Sequence, residues 1–231
     1  MPSSIRRSPW MFAALALSVA APAAASAPRT PEVLSLGFIS PCRTRRSTAS
    51  PSRPTAVERK RDGGWGEPRH LGDAVHSTAD ELYPSVDAEG TLYFGSDREG
   101  GYGGWDIWRS RLRRDGTYGP AENLGPAINT ESWEFNPHVT PDGRTLLFAS
   151  INRPDGYGSG DVYAARRGRW GWEPARNLGP RVNTELDEYH PTLSPDHDTL
   201  YFVRHQYEPF VPGDLYHVRV GRLLSDVGVC D

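Results

Sequence analysis

The chain states one order of residues three times. Leu71-Gly72, Leu124-Gly125 and Leu178-Gly179 stand 53 and 54 residues apart. Behind each comes the same succession: Pro84, Pro137 and Pro191, then Tyr93-Phe94, Leu147-Phe148 and Tyr201-Phe202, then Asp106, Asp161 and Asp214. A fixed period of this size marks units that cannot bury their apolar faces alone and must stack on their neighbours. Fold and function are therefore read per repeat.

Each unit resolves into four short strands. "ELYPSVDAEGTLYFGSD" holds two alternating apolar runs joined at Ala88-Glu89-Gly90, and the later units show the same hairpin around Asp142-Gly143 and Asp196-His197. Asp-Gly between such runs signals a tight turn, because the turn needs a positive φ that these residues tolerate. A Gly-rich loop leads to a third strand, "WDIWRSRL", "GDVYAARR" or "GDLYHVRV". A fourth follows: "WGEPRHLG", "YGPAENLG" or "WGWEPARNLG". Four strands per period without helical periodicity describe the blade of an all-β propeller built from antiparallel sheets.

The run "NLGPAINTESWEFNPHVTPDGRTLLFAS" followed by "RPDGYGSGDVYAARR" resembles the TolB-like, WD-like β-propeller repeat, which is also similar to the propeller of tricorn-type proteases. The first unit matches it equally well. The third departs from it, since His197-Asp198 replaces Asp-Gly and "RHQYEPFVPGD" replaces the Arg and the Gly-rich loop. The resemblance spans residues 65 to 220 and implies fold; propellers with this repeat serve as binding scaffolds, complex components and enzyme accessory domains.

The ends bear on location and closure. Arg6 and Arg7, the apolar "WMFAALALSVAA" and the small residues "PAAASA" read as a secretory signal over residues 1–25, too short for a membrane span. The formal net charge of −3 becomes more acidic without those two arginines. Such a surface has no electrostatic reason to bind nucleic acid. Residues 26–64 read as a latch strand, "PEVLSLG", and a degenerate partial blade, with the blades proper over 65–231. The leading geometry is a monomeric ring of three full blades and one defective one, in which residues 32–37 run beside 214–220; a fragment of a larger propeller is the alternative. Cys42 and Cys230 are the two cysteines, and an exported chain permits their pairing.

Glu81, Glu134 and Glu188 each stand three residues before the repeated Pro, at the entrance to the innermost strand. Equivalent positions of blades converge on the axial channel mouth. Three carboxylates there either hold Ca²⁺ or another cation, or cap backbone amides or pair with a neighbouring blade. Tyr83, Asn136 and His190, one residue before each Pro, differ between blades and so are able to make one asymmetric pocket. Arg98, Arg153, Asp106, Asp161 and Asp214 belong to the loops, where Asp106 and Asp161 are expected to accept loop amide hydrogen bonds. Trp105 and Trp133 are the aromatics placed to meet a ligand. No nucleophile elbow, zinc spacing or cofactor motif occurs, so no catalytic residue and no cofactor is assigned. The expectation is an exported, non-catalytic scaffold for an envelope protein or cell-wall polymer. A glycan, small-molecule or calcium binder and a propeller hydrolase are the alternatives.

Overall fold

The structure, a computed structural model of the chain, describes residues 55–56, 64–206 and 209–226. The signal segment, the latch at 32–37 and both cysteines lie outside the described residues.

Strands β1 (Thr55–Ala56) and β2 (Arg69–His70) form a short antiparallel pair. The first blade follows as β3 (Glu81–Val86), β4 (Leu92–Ser96), β5 (Asp106–Ser110) and β6 (Glu122–Asn123), hydrogen-bonded in that order. The second comprises β7 (Trp133–Val139), β8 (Thr145–Ile151) and β9 (Gly160–Gly168), with β10 (Gly171–Trp172) and β11 (Arg176–Asn177) both paired to β9. The third has β12 (Asp187–Leu193), β13 (Thr199–Gln206) and β14 (Val211–Arg219), and ends in helix α1 (Gly221–Asp226). All named strand pairs are antiparallel. The sheets are propeller blades, the third contributing three strands among the described residues. None of the described helices is long and apolar enough to cross a membrane.

Fourth strands are two residues long because Pro68, Pro120 and Pro174 precede them and cannot donate to a ladder. The middle strands of the first two blades, β4 and β8, are buried along almost their whole length because both of their faces are covered. Leu146 and Phe148 of β8 pack back on Tyr93 and Ile107 of the first blade, while Leu147 packs forward on Leu200 and Phe202 of the third. Side chains alternate across a strand, so a run such as "LLFA" is what a strand between two blades requires. The forward face of the third blade is open by comparison: Tyr201 is 38% exposed, where its counterparts Tyr93 and Leu147 are fully buried. Leu223 and Leu224 of α1 close the base of the cluster between the second and third blades.

The hairpin tips take left-handed backbone at Gly90, Gly143 and His197, with φ of 83°, 67° and 61°. The third blade keeps the turn and places a side chain where the others have none. Replacing His197 by Gly is therefore expected to raise stability by about 1 kcal/mol in a denaturant melt. A loss of stability would show that the imidazole contributes more than the strain costs.

Candidate functional site

The structure places the three glutamates inside the blades, each in the same ionic node. Glu134 is fully buried and accepts hydrogen bonds from the Thr130 amide at 2.9 Å, the Thr130 hydroxyl at 2.7 Å and the Ser150 hydroxyl at 2.9 Å. Arg153 closes the node with Nη2 at 3.0 Å from Glu134 Oε1, and also donates to the Ile128 carbonyl. In the first blade Glu81 receives Ser77 and Arg98, the latter at 2.9 Å, while Arg98 reaches the Val75 carbonyl at 2.6 Å. In the third, Glu188 receives Thr184 at 2.9 and 2.6 Å and Arg204 Nε at 2.6 Å. Burial pushes the Glu188 carboxyl up, opposed by the Thr184 and Arg204 hydrogen bonds.

Each arginine also lies over two rings of its own blade: Arg98 over Phe94 and Trp108, Arg153 over Phe148 and Tyr163, Arg204 over Phe202 and Tyr216, at 4.4 to 5.6 Å. Arg204 corrects the reading of the third unit. The arginine is not missing there; it has moved from the loop into β13, two residues after Phe202, and still reaches the glutamate. The signal was present in the sequence but displaced from its place in the repeat.

Tyr83, Asn136 and His190 hold one position of the repeat, and two of them meet. Each sits at a bulge of the innermost strand, where register shifts occur between Leu82 and Ser85, Phe135 and His138, and Tyr189 and Thr192. All three have left-handed backbone, with φ of 55°, 52° and 54°. Positive φ is a genuine departure for a residue as bulky as Tyr, and its recurrence in three blades marks a feature of the architecture. Tyr83 and His190 belong to non-adjacent blades, yet their rings meet edge to face at 5.5 Å. At the equivalent bulge of the middle blade stands Asn136, which is 4% exposed and has both amide atoms without a hydrogen-bond partner. Burial lowers the His190 pKa to about 4, with His205 adding to the shift.

The residues after Pro84 and Pro137 each link one blade to the next. Ser85 Oγ accepts from the Val139 amide at 3.0 Å, and His138 Nε2 accepts from the Leu193 amide at 3.3 Å. His138 therefore holds its proton on Nδ1 and is neutral; burial and the neighbouring His197 lower its pKa to about 4.

The long loops lie at the end of the blades where the innermost strands begin. Asp106 accepts from the Tyr102 and Gly103 amides at 2.7 and 3.0 Å, and Asp161 from those of Tyr157 and Gly158. Burial raises the Asp161 pKa against these bonds. In the third blade Gln206 of β13 pairs with Val211 of β14, and Asp214, expected in a loop, lies within β14, exposed and opposite Arg204. Each loop presses on the next blade: a Cβ on Gly103 would lie 1.9 Å from the Ser132 carbonyl, and one on Gly158 2.0 Å from that of Leu186. The first contact is extended by the Glu134 amide, which donates to the Trp105 carbonyl at 2.8 Å. Gly103→Ala is expected to cost about 1 to 3 kcal/mol by forcing these backbones apart; a melt matching the parent would show that the loop does not clasp its neighbour.

Held this way, the loops present Tyr102 and Tyr157, each 49% exposed, with Trp133 at 37% beside the first loop. Trp105 joins Trp133 through a backbone bridge. Tyr118 and Trp172 pack inward, whereas Trp65 at the same place in the repeat is half exposed. Among the described residues no three His, Cys, Asp or Glu are grouped to hold a metal.

No family model and no curated protein matches the chain. Among solved structures it is similar to TolB from Acinetobacter baumannii, at 14% identity and a TM-score of 0.46, covering 73% of this chain and 36% of that one. It is similar to a putative TolB from Agrobacterium tumefaciens, at 16% identity and a TM-score of 0.48, covering 71% and 56%. A GH43 endo-arabinanase from Bacillus licheniformis aligns at 12% identity and a TM-score of 0.40, covering 74% and 66%. The chain thus spans about a third to about a half of the length of the two TolB structures. Its stacked antiparallel blades give it a β-propeller fold.

Proposed function

We propose that the chain is an exported, non-catalytic propeller scaffold that binds an envelope protein or a cell-wall polymer through its loop face. The observation that carries this reading is the set of exposed aromatics: Tyr102 and Tyr157, on loops braced by Asp106 and Asp161, and Trp133, at the start of β7 beside the first loop. Aromatic side chains offer large contact areas for little lost rotamer freedom, and bracing lowers the ordering cost of binding. The scaffold reading is further supported by the three glutamates, which all sit in one kind of environment, tied to arginine. Acid–base pairs need unequal carboxyls instead. The N-terminal sequence supports export.

The test is capture from an envelope extract by the immobilised chain lacking residues 1–25, alongside a Tyr102→Ser/Trp133→Ser/Tyr157→Ser variant. A component retained by the parent and released by the variant supports the loop face. Equal retention by both would refute it.

A further inference from the structure

We propose that Asn136 is the recognition residue of an axial site for a neutral N-acetyl amide, the group carried by an N-acetylated amino sugar. Three observations lead there. The bulges turn Tyr83, Asn136 and His190 out of their ladders at one level of the axis, and the Tyr83–His190 ring contact shows that the level is shared. Asn136 is the residue, among those described, whose amide oxygen and nitrogen are both buried and both without a partner. An amide nitrogen donates and an amide oxygen accepts, so the group that satisfies both must offer an acceptor and a donor side by side. A secondary amide does this through its carbonyl and its N–H.

The surroundings narrow the ligand. No charge is called for, because Glu81, Glu134 and Glu188 are each matched by an arginine. His190 is neutral at ordinary pH. A peptide strand is disfavoured, since the bulge interrupts the backbone edge along which a strand would add. What remains is a compact group read by side chains. Tyr83, Phe135 and Tyr189 form a chain of ring contacts at 6.2 and 5.3 Å beside it, an apolar wall suited to an acetyl methyl and the C–H face of a sugar.

The test is a titration of isotope-labelled protein followed by NMR at the Asn136 side-chain amide. The probes are N-acetylglucosamine, glucosamine, glucose and N-methylacetamide. N-Acetylglucosamine is expected to shift that signal saturably, and glucose and glucosamine to leave it in place. Asn136→Gly suits a φ of 52° and so keeps the fold; its binding, followed at the Tyr83 and His190 signals, is expected to weaken at least tenfold while the melting temperature without sugar stays level or rises. The proposal is overturned by absence of a saturable shift, by equal response to glucose, or by N-methylacetamide leaving the Asn136 signal in place. It is also overturned if Asn136→Gly melts well below the parent without sugar, which would make the amide structural. The loop variant at Tyr102, Trp133 and Tyr157 is expected to leave this titration unchanged, so failure of the loop-face reading and failure of this one are separable.

Discussion

Replacing Glu134 by Ala is expected to cost about 3 to 5 kcal/mol of folding stability, enough to unfold a marginal domain. The change leaves the Arg153 guanidinium buried without its counter-ion, and it strips the Thr130 amide, the Thr130 hydroxyl and the Ser150 hydroxyl of one shared acceptor. Glu122 supplies the contrast. It pairs with Arg109 at 2.9 Å but is half exposed, where water screens the charges and replaces the partner. Glu122→Ala is therefore expected to change stability by less than about 1 kcal/mol. Denaturant melts of the two variants decide the matter: similar midpoints would mean that the buried node is no stronger than a surface pair.

Stability is expected to fall steeply as pH drops from about 6.5 toward 4. His138 and His190 both have folded-state pKa values of about 4, while an unfolded imidazole titrates near 6.5. The depressed values mean that the unfolded chain takes up protons first, so the stability these groups contribute is complete above 6.5 and is lost as pH falls through the folded values. Each contributes up to about 3 kcal/mol across that window. His205 is shifted in the same direction by burial. Asp161 and Glu188, raised by burial, act in the opposite sense and offset part of the loss. His138 has a structural stake as well, because protonated Nε2 would point a donor at the Leu193 N–H that it now accepts from. His138→Asn removes the titrating group while offering an amide oxygen as acceptor, and should flatten the slope of melting temperature against pH. A parent slope that is flat between pH 6.5 and 5 would contradict the account.

The blades were legible because two-residue alternation and Asp-Gly turns are local signals. "TPDGRTLLFAS" says strand, turn, strand without help from the rest of the chain. The site was legible only where repetition exposed it. Tyr83, Asn136 and His190 share a position before Pro, but their left-handed backbone follows from a bulge between paired strands, which no single strand reveals. Arg204 was hidden for the converse reason: what the node requires is a guanidinium within reach of Glu188, and a strand residue meets that need as well as a loop residue does. The extent of the fourth strands also escaped the pattern, since "PAENLG" aligns over six residues while Pro120 confines the ladder to Glu122 and Asn123. The closing latch at 32–37 rests on its likeness to that word and lies outside the described residues.

The central claim is that the braced loop face is a binding surface, and the direct measurement is a binding isotherm. The captured envelope component is titrated into the parent and into the Tyr102→Ser/Trp133→Ser/Tyr157→Ser variant, with melting curves recorded for both. The account predicts closely similar melts, because none of the three side chains belongs to a core cluster, and affinity reduced about a hundredfold or more, as expected when aromatic anchors are removed together. Matching melts with unchanged affinity would contradict it.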